Sequence, residues 1–487
     1  MGTIHALTQP LSKEELDVVS ENLTVECPPS KKRPSTSKRL LQPLPDIELN
    51  DANRHIVEAL PTAWEPWPDD KASVNPNAQE LGRIESALRL KGKKKAKIDF
   101  PKRPVVFISD PHADAEAFEA SLVASGVVAR EVPGLCNLVL TKLGKKSEVI
   151  IGGDCLDKGP SNLALLRSVH HLYRIGARVT LIAGNHDLRL LMGLLSLERP
   201  HDVGNQHFFV RMGKKVVPLL KEVFVNYLDN TDWDTSIPDE QTCHDKMFPG
   251  EEWFEKFPFH AAGVLTDEGV EREMRKMRNK TSTFTNHCAD HDLTLRQVYA
   301  AALKCQQLFL HDSGEFAWFF KNMKLVDKRG SFLFLHAGID DAMSALLKKK
   351  GVKHANKAFH YSLRNADLFS FYYGSIANTF RTKYRKADLP LTSRGVKSIK
   401  KFGVNILVQG HVNRIHGQRL TIKRDLVHIE GDITLDKNSR EQEGILDTGV
   451  GYTLVSKKQG IVGVSNDYPV AKVYHPKIVK LRNKRIV

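Results

Sequence analysis

Disulfides, membrane spans and nucleic-acid readers are what this sequence lacks. Its six cysteines (Cys27, Cys136, Cys155, Cys243, Cys288 and Cys305) are scattered, with no CxxC pair. That spacing argues against a disulfide framework or a thiolate-held zinc and fits a reduced, cytoplasmic setting. No apolar run approaches the roughly 18 residues that a membrane helix needs. The opening MGTIHALTQPLSKEELD has neither the charged start nor the apolar middle of a secretory signal. Ala6 stands where N-myristoylation needs Ser or Thr.

Acidic residues are also short. Across 487 residues, 72 Lys and Arg outnumber 57 Asp and Glu, a formal net charge of +15. Such a balance favours anionic partners such as phosphorylated proteins or nucleotides. Nucleic acid is disfavoured, because there is no binding motif and the basic clusters carry no interleaved aromatics. Those clusters are Lys31-Lys32-Arg33, KGKKKAK at 91–97 and HPKIVKLRNKRIV from His475, and they flank the centre of the chain.

The composition is 41% hydrophobic, enough for a substantial core. Residues 1–100 read as a basic, partly disordered N-terminal extension. They include the Pro/Ser/Lys-rich stretch at 28–45 and a helix-like Leu81 to Leu90. Residues 101–470 read as the catalytic region, and 471–487 as a basic tail. Between His186 and His336 the strand-helix rhythm stops, and helical-looking pieces surround DNTDWDTSIPDE. This predicts a helical insertion or cap at 200–330, able to shape substrate access or hold a protein partner.

What the chain does have is a repeated pattern. Short apolar runs end in Asp, His or Asn, often beside glycine: VVFIS then Asp110-Pro-His112, VIIGG then Asp154, VTLIAG then Asn185-His186-Asp187, FLFL then His336, and ILVQG then His411. Buried strands of an α/β sheet read as such runs. Open α/β folds place ligands at the carboxyl ends of those strands. A single strand-end Asp or His is usually a cap or turn residue, but five in order outline a metal site.

The ordered set SDPH, GGDCLDKG, GNHD, LHAG and QGH resembles the calcineurin-like metallophosphoesterase superfamily, and most closely its phosphoprotein phosphatase branch. That resemblance implies an αββα sandwich of two mixed sheets with a large helical insertion. It implies two divalent ions (Mn first, Fe or Zn as alternatives) bound by Asp110, His112, Asp154, Asn185, His336 and His411, with Asp154 bridging. Imidazole and carboxylate donors suit those metals better than Ca. The resemblance also makes His186 the general acid, with Asp157 fixing its tautomer and raising its pKa. Lys158, Arg189 and Arg394 become the phosphate clamps. Lys158 stands where the phosphatase branch carries arginine, which costs the bidentate fork. Asn413 stands where many relatives have a further histidine.

The expected activity is hydrolysis of phosphomonoesters by a metal-activated water, with a phosphorylated protein as the first candidate substrate. A nucleotide pyrophosphatase of the diadenosine-polyphosphate type is the alternative. A metal-bound scaffold without catalysis is a third reading, but binding alone has no need of a general acid.

Overall fold

The apolar runs are strands in a computed structural model. It describes residues 43–67 apart from 48, the positions Ile84, Ala87 and Leu88, and residues 98–476 apart from 200, 365 and 366. The stretch at 28–45 (except 43–45), most of Leu81 to Leu90, and the basic clusters at 31–33, 91–97 and 477–487 lie outside the described residues.

In chain order the strands begin with β1 (Trp64–Pro66), β2 (Val105–Ile108), β3 (Val128–Arg130), β4 (Leu138–Leu140), β5 (Glu148–Ile151), β6 (Val179–Ile182) and β7 (Met323–Lys324). They continue with β8 (Asp327–Arg329), β9 (Phe332–Phe334), β10 (Ile406–Gln409), β11 (Arg419–Lys423), β12 (Leu426–Glu430), β13 (Gly451–Ser456), β14 (Gly460–Ser465) and β15 (Ala471–Tyr474). Eight form one mixed sheet in the order β1-β15-β14-β13-β2-β5-β6-β7, and five form a second, β11-β12-β10-β9-β8. A hairpin of β3 and β4 stands apart from both.

The two sheets share one core. Val105, Phe107, Ile150, Val455 and Ile461 from the larger sheet cluster with Phe332, Phe334, Ile406, Val408 and Ile429 from the smaller. Ile84 and Leu88 are buried in the same cluster. The fold is therefore α/β with two mixed sheets. It also reaches past the 101–470 span expected for the catalytic region, since β1 pairs in parallel with β15 and Trp64 lies opposite Ala471.

Between β6 and β7 the chain is helical, as expected for the insertion. The main pieces are Asn185–Ser196, Val217–Tyr227, Glu251–Ala261, Asp267–Asp290 and Leu295–Leu310. Their amphipathic faces bury Trp253, Phe257 and Phe284, with Phe257 also meeting Phe369 beyond the insertion. Glu222, on one of these helices, caps the N-terminus of helix Asn162–Arg174, accepting from the Asn162 amide at 2.9 Å and the Leu163 amide at 3.3 Å. The insertion is thereby docked on the helix that follows the Asp154 loop. The last residues of the expected 200–330 span, however, are the sheet strands β7 and β8.

Candidate metal centre

Three parallel strands of the larger sheet, β2, β5 and β6, and three of the smaller, β9, β10 and β12, all end at this site. Asp110 and His112 follow β2, Asp154 follows β5, Asn185 follows β6, His336 follows β9 and His411 follows β10. The donor atoms of Asp110, His112 and Asp154 lie within 4.8 Å of one another, and so do those of Asp154, His336 and His411. Asp154 belongs to both groups. Asn185 Oδ1 lies 3.2 Å from His336 Nε2. The sixth strand end brings in Asp432, which is buried, with its Oδ1 accepting from the Thr434 amide at 2.9 Å.

The loops that carry these donors are held in costly backbone states. Asp110, His112, Asp154, Asp157, Lys158 and His411 all have positive φ. Non-glycine residues there cost on the order of 1–3 kcal/mol each and persist only where surrounding contacts impose them. Those contacts are visible. Asp187 accepts from the amides of Asp154 and Cys155 at 2.9 Å, Leu156 at 3.1 Å and Gly184 at 3.1 Å, clasping the Asp154 loop to the Asn185 loop. Asp110 accepts from the His411 amide at 3.0 Å. A side chain at Gly410 would fall 2.0 Å from Asp110 Oδ2, so only glycine lets these loops close.

The imidazoles are oriented by the backbone. His112 Nδ1 faces the Leu156 carbonyl at 3.2 Å, His336 Nδ1 the Gly152 carbonyl at 2.8 Å, and His411 Nε2 the Arg381 carbonyl at 3.2 Å. A carbonyl only accepts, so each of those nitrogens carries the proton and the other presents a lone pair to the cluster. For His336 that lone pair lies 3.3 Å from Asp154 Oδ2. A lone pair facing a carboxylate calls for a cation between them. A proton can fill that same place: burial opposes the His336 charge, yet Asp154 and Asp110 raise it to about 10. The donor set thus fits divalent metal ions.

His186 lies beside this cluster. Its amide donates to Asp154 Oδ1 at 2.8 Å, and its Nδ1 meets Asp157 Oδ2 at 2.8 Å. The expected pairing is present, but the expected direction of the pKa is not. Burial, and then the cations Arg189, Lys158 and Lys215, hold His186 well below the usual histidine range, although Asp154 opposes them. Burial carries Asp157 up to about 7. The motif revealed the carboxylate partner but not the surrounding cations.

The three expected clamps separate. Lys158 Nζ lies 2.7 Å from His112 Nε2, on its donor side. Arg189 is half-buried and acts on Asp157 and His186. Arg394 is not brought to the site: its side chain is 87% exposed and faces Asp341 at 3.8 Å. It lines a separate cleft with Leu389, Pro390 and Ser398. Asp432 and Arg381 were missed. The run LVHIEGD carried the same strand-end signal for Asp432, whereas nothing local marks Arg381.

Residues 103–297 match the family model for calcineurin-like phosphoesterase. A symmetrical bis(5'-nucleosyl)-tetraphosphatase from Janthinobacterium sp. (strain Marseille) is 39% identical over 56 residues, 12% of this chain and only 19% of that protein's length. Among solved structures, a cold-active protein-tyrosine phosphatase of a psychrophile Shewanella sp. is 13% identical at a TM-score of 0.39, covering 77% of this chain and 80% of that one. A protein serine/threonine phosphatase from Saccharomyces cerevisiae is 11% identical at 0.33, covering 73% of each. A putative diadenosine tetraphosphatase is 12% identical at 0.26, covering 76% of this chain and 98% of that one.

Proposed function

From a chain that carries a calcineurin-like phosphoesterase domain, we propose metal-dependent hydrolysis of phosphoesters. Asp110, His112, Asp154, Asn185, His336 and His411 would hold two divalent ions, with Asp154 common to both. The observation that carries this reading is the pair of three-donor groups that share Asp154. When bound, two such ions activate water and neutralise phosphoryl oxygens. Mn suits the imidazole and carboxylate donors, and Fe and Zn are alternatives.

The protein's own part is positioning and proton transfer. Asp157 fixes His186 through Nδ1, leaving Nε2 to give a proton to the leaving oxygen. In the free protein burial, and then the neighbouring cations, keep the imidazole neutral. An arriving phosphoryl group brings negative charge, which raises its pKa again. Arg189 supplies charge for the phosphoryl oxygens.

The first substrate reading is a phosphomonoester on a protein. The second, a dinucleoside polyphosphate, is favoured by the similarity to the symmetrical tetraphosphatase and by Lys158 in place of arginine. Release of p-nitrophenol from p-nitrophenyl phosphate with added Mn tests the common step. Phosphopeptides and bis(5'-nucleosyl) tetraphosphate then separate the two substrate readings. No metal-dependent turnover of any of them would sink the proposal.

A further inference from the structure

The three imidazoles of the donor groups do not rest on the same support. His112 and His336 turn to the carbonyls of Leu156 and Gly152, which flank Asp154 in its own loop. Asp187 clasps that loop. His411 takes its carbonyl from outside, at Arg381, 30 residues upstream. Arg381 closes the short helix Ser375–Arg381, which supplies no donor to either group. The last carbonyls of a helix have no partner within it. Here the histidine loops take them up. The Thr379 carbonyl accepts from the amides of Ala337 at 3.0 Å and Gly338 at 3.1 Å, just after His336. The Arg381 carbonyl accepts from the His411 ring at 3.2 Å. The front of the helix belongs to the His336 side, because Ser375 and Asn378 donate to Asp340 at 2.7 and 3.3 Å. The His411 backbone is held separately, by Asp110. What the helix end adds is the orientation of the His411 ring.

That end is itself held in an unusual way. Arginine in the last turn of a helix commonly bonds the final carbonyls. Arg381 instead lays its guanidinium over the ring of Tyr372, 4.6 Å from the centroid. Its Nε is buried without a hydrogen-bond partner among the described residues. Leaving a buried donor unpaired costs stability, and attraction between guanidinium and ring offsets that cost. The same ring meets a second guanidinium, Arg211 at 4.5 Å, whose Nη1 donates to the Tyr372 hydroxyl at 3.2 Å. Among the described residues, no other ring meets two arginines. Tyr372 comes from helix Leu368–Tyr373, is buried, and is fixed by Arg211, which Glu273 neutralises.

We propose that Tyr372 is a positioning residue for the metal centre. By holding Arg381, its ring fixes the carbonyl that orients His411, and so strengthens the hold of Asp154, His336 and His411 on their ion. Partners that orient a metal-binding imidazole tune affinity in this way. Tyr372 acts on one donor group of the two, because His112 is oriented by the Asp154 loop. This rests on the two-ion reading of the donors, and its first readout is metal binding rather than turnover.

The test uses the full chain and Mn, with bound ions counted by equilibrium dialysis. Wild type should bind two. Tyr372→Leu removes the ring, and one ion should then bind roughly 10–100-fold more weakly while the other is unchanged. Tyr372→Phe keeps the ring and should restore most of that affinity. Arg381→Met keeps the aliphatic stem and loses the guanidinium, so it should weaken the same ion. His411→Ala identifies which ion that is. Residues that act through one another are not additive, so Tyr372→Leu should add little to the loss already caused by His411→Ala. Should Tyr372→Leu fail to fold by circular dichroism, Arg381→Met decides in the same two backgrounds. Equal weakening of both ions, a full further loss in the His411→Ala background, or no change in either variant overturns the positioning role. Phosphoester turnover with affinities unchanged in the variants defeats the positioning and leaves the hydrolase standing. The selective loss without turnover of any phosphoester defeats the hydrolase and leaves the positioning standing. A wild type that binds fewer than two ions defeats both.

Discussion

The strand edge and the helices over it handle charge in opposite ways. At the edge, Asp110, Asp154 and Asp187 are buried, and each accepts backbone amides from a neighbouring loop. On the insertion side, Lys215 and Lys280 reach no carboxylate within 4.0 Å among the described residues, and Lys280 donates to the Arg211 carbonyl. Within the same helices Arg211 is treated differently. It is buried, pairs with Glu273, and reaches the Tyr373 hydroxyl at 2.8 Å. The contrast separates three jobs. Locked carboxylates fix the donor loops, a neutralised arginine holds the insertion together, and Lys215 and Lys280 carry charge that no carboxylate among the described residues meets within 4.0 Å.

Breaking the strand edge should have the largest effect. Asp154→Asn removes the one carboxylate common to both donor groups, so turnover should fall to background and both ions should bind more weakly. Metal analysis after dialysis checks this, and two tightly held ions with normal turnover would refute the shared role. His186→Ala should lower kcat by roughly 10²–10⁴-fold with metal content intact. The loss should be smaller for p-nitrophenyl phosphate than for an alkyl ester, because a good leaving group needs less help from an acid. Equal losses would argue against proton donation.

Breaking the neutralised pair should change stability rather than chemistry. Glu273→Gln leaves the Arg211 charge buried without its carboxylate, a loss of about 3–5 kcal/mol. A denaturant midpoint indistinguishable from wild type would mean that the pair is dispensable. The comparison is sharpened by Arg189→Gln. Arg189 is one of the cations that depress His186, so its removal raises the His186 pKa. A histidine that stays protonated to higher pH moves the alkaline limb of the kcat/KM profile upward in pH. A limb that stays in place or moves down would exclude Arg189 from the electrostatics of His186.

Much of the strand edge was legible because buried parallel strands are apolar runs, and the polar residue that ends each one stands out. The sixth strand reads as strand-like in DLVHIEG, and only the Asp432 beyond it escaped notice, because His428 and Glu430 make the run less apolar than the other five. Both are accommodated only in the folded sheet, His428 by Gln409 at 3.0 Å and Glu430 by Lys423 at 2.7 Å and Arg414. The pairing of Trp64 with Ala471 joins segments far apart in sequence, and no local pattern announces it. The cations that act on His186 are hidden for the same reason, since Lys158, Arg189 and Lys215 stand in separate stretches of the sequence. The depressed His186 follows from its burial and then from those cations, and a motif that shows only its Asp157 partner carries neither.

The smallest effect belongs to Arg394, whose expected role came from its position in TSRGV upstream of His411. In the fold, Thr392 caps helix Ser393–Lys401, and its hydroxyl donates to Asp341 at 2.6 Å. That anchors the turn on Asp341 and leaves the arginine pointing to solvent. An ion pair at 3.8 Å with a side chain 87% exposed is screened by water. Exposed pairs of this kind are worth about 0–1 kcal/mol. Arg394→Ala should therefore lower stability by no more than that, and should cost less kcat/KM than Arg189→Gln on the same phosphoester. Measuring both variants side by side decides between the two arginines. If Arg394→Ala proves the more damaging, its helix must swing toward the metal edge when substrate binds, and Arg394 would have to be counted with the locked edge.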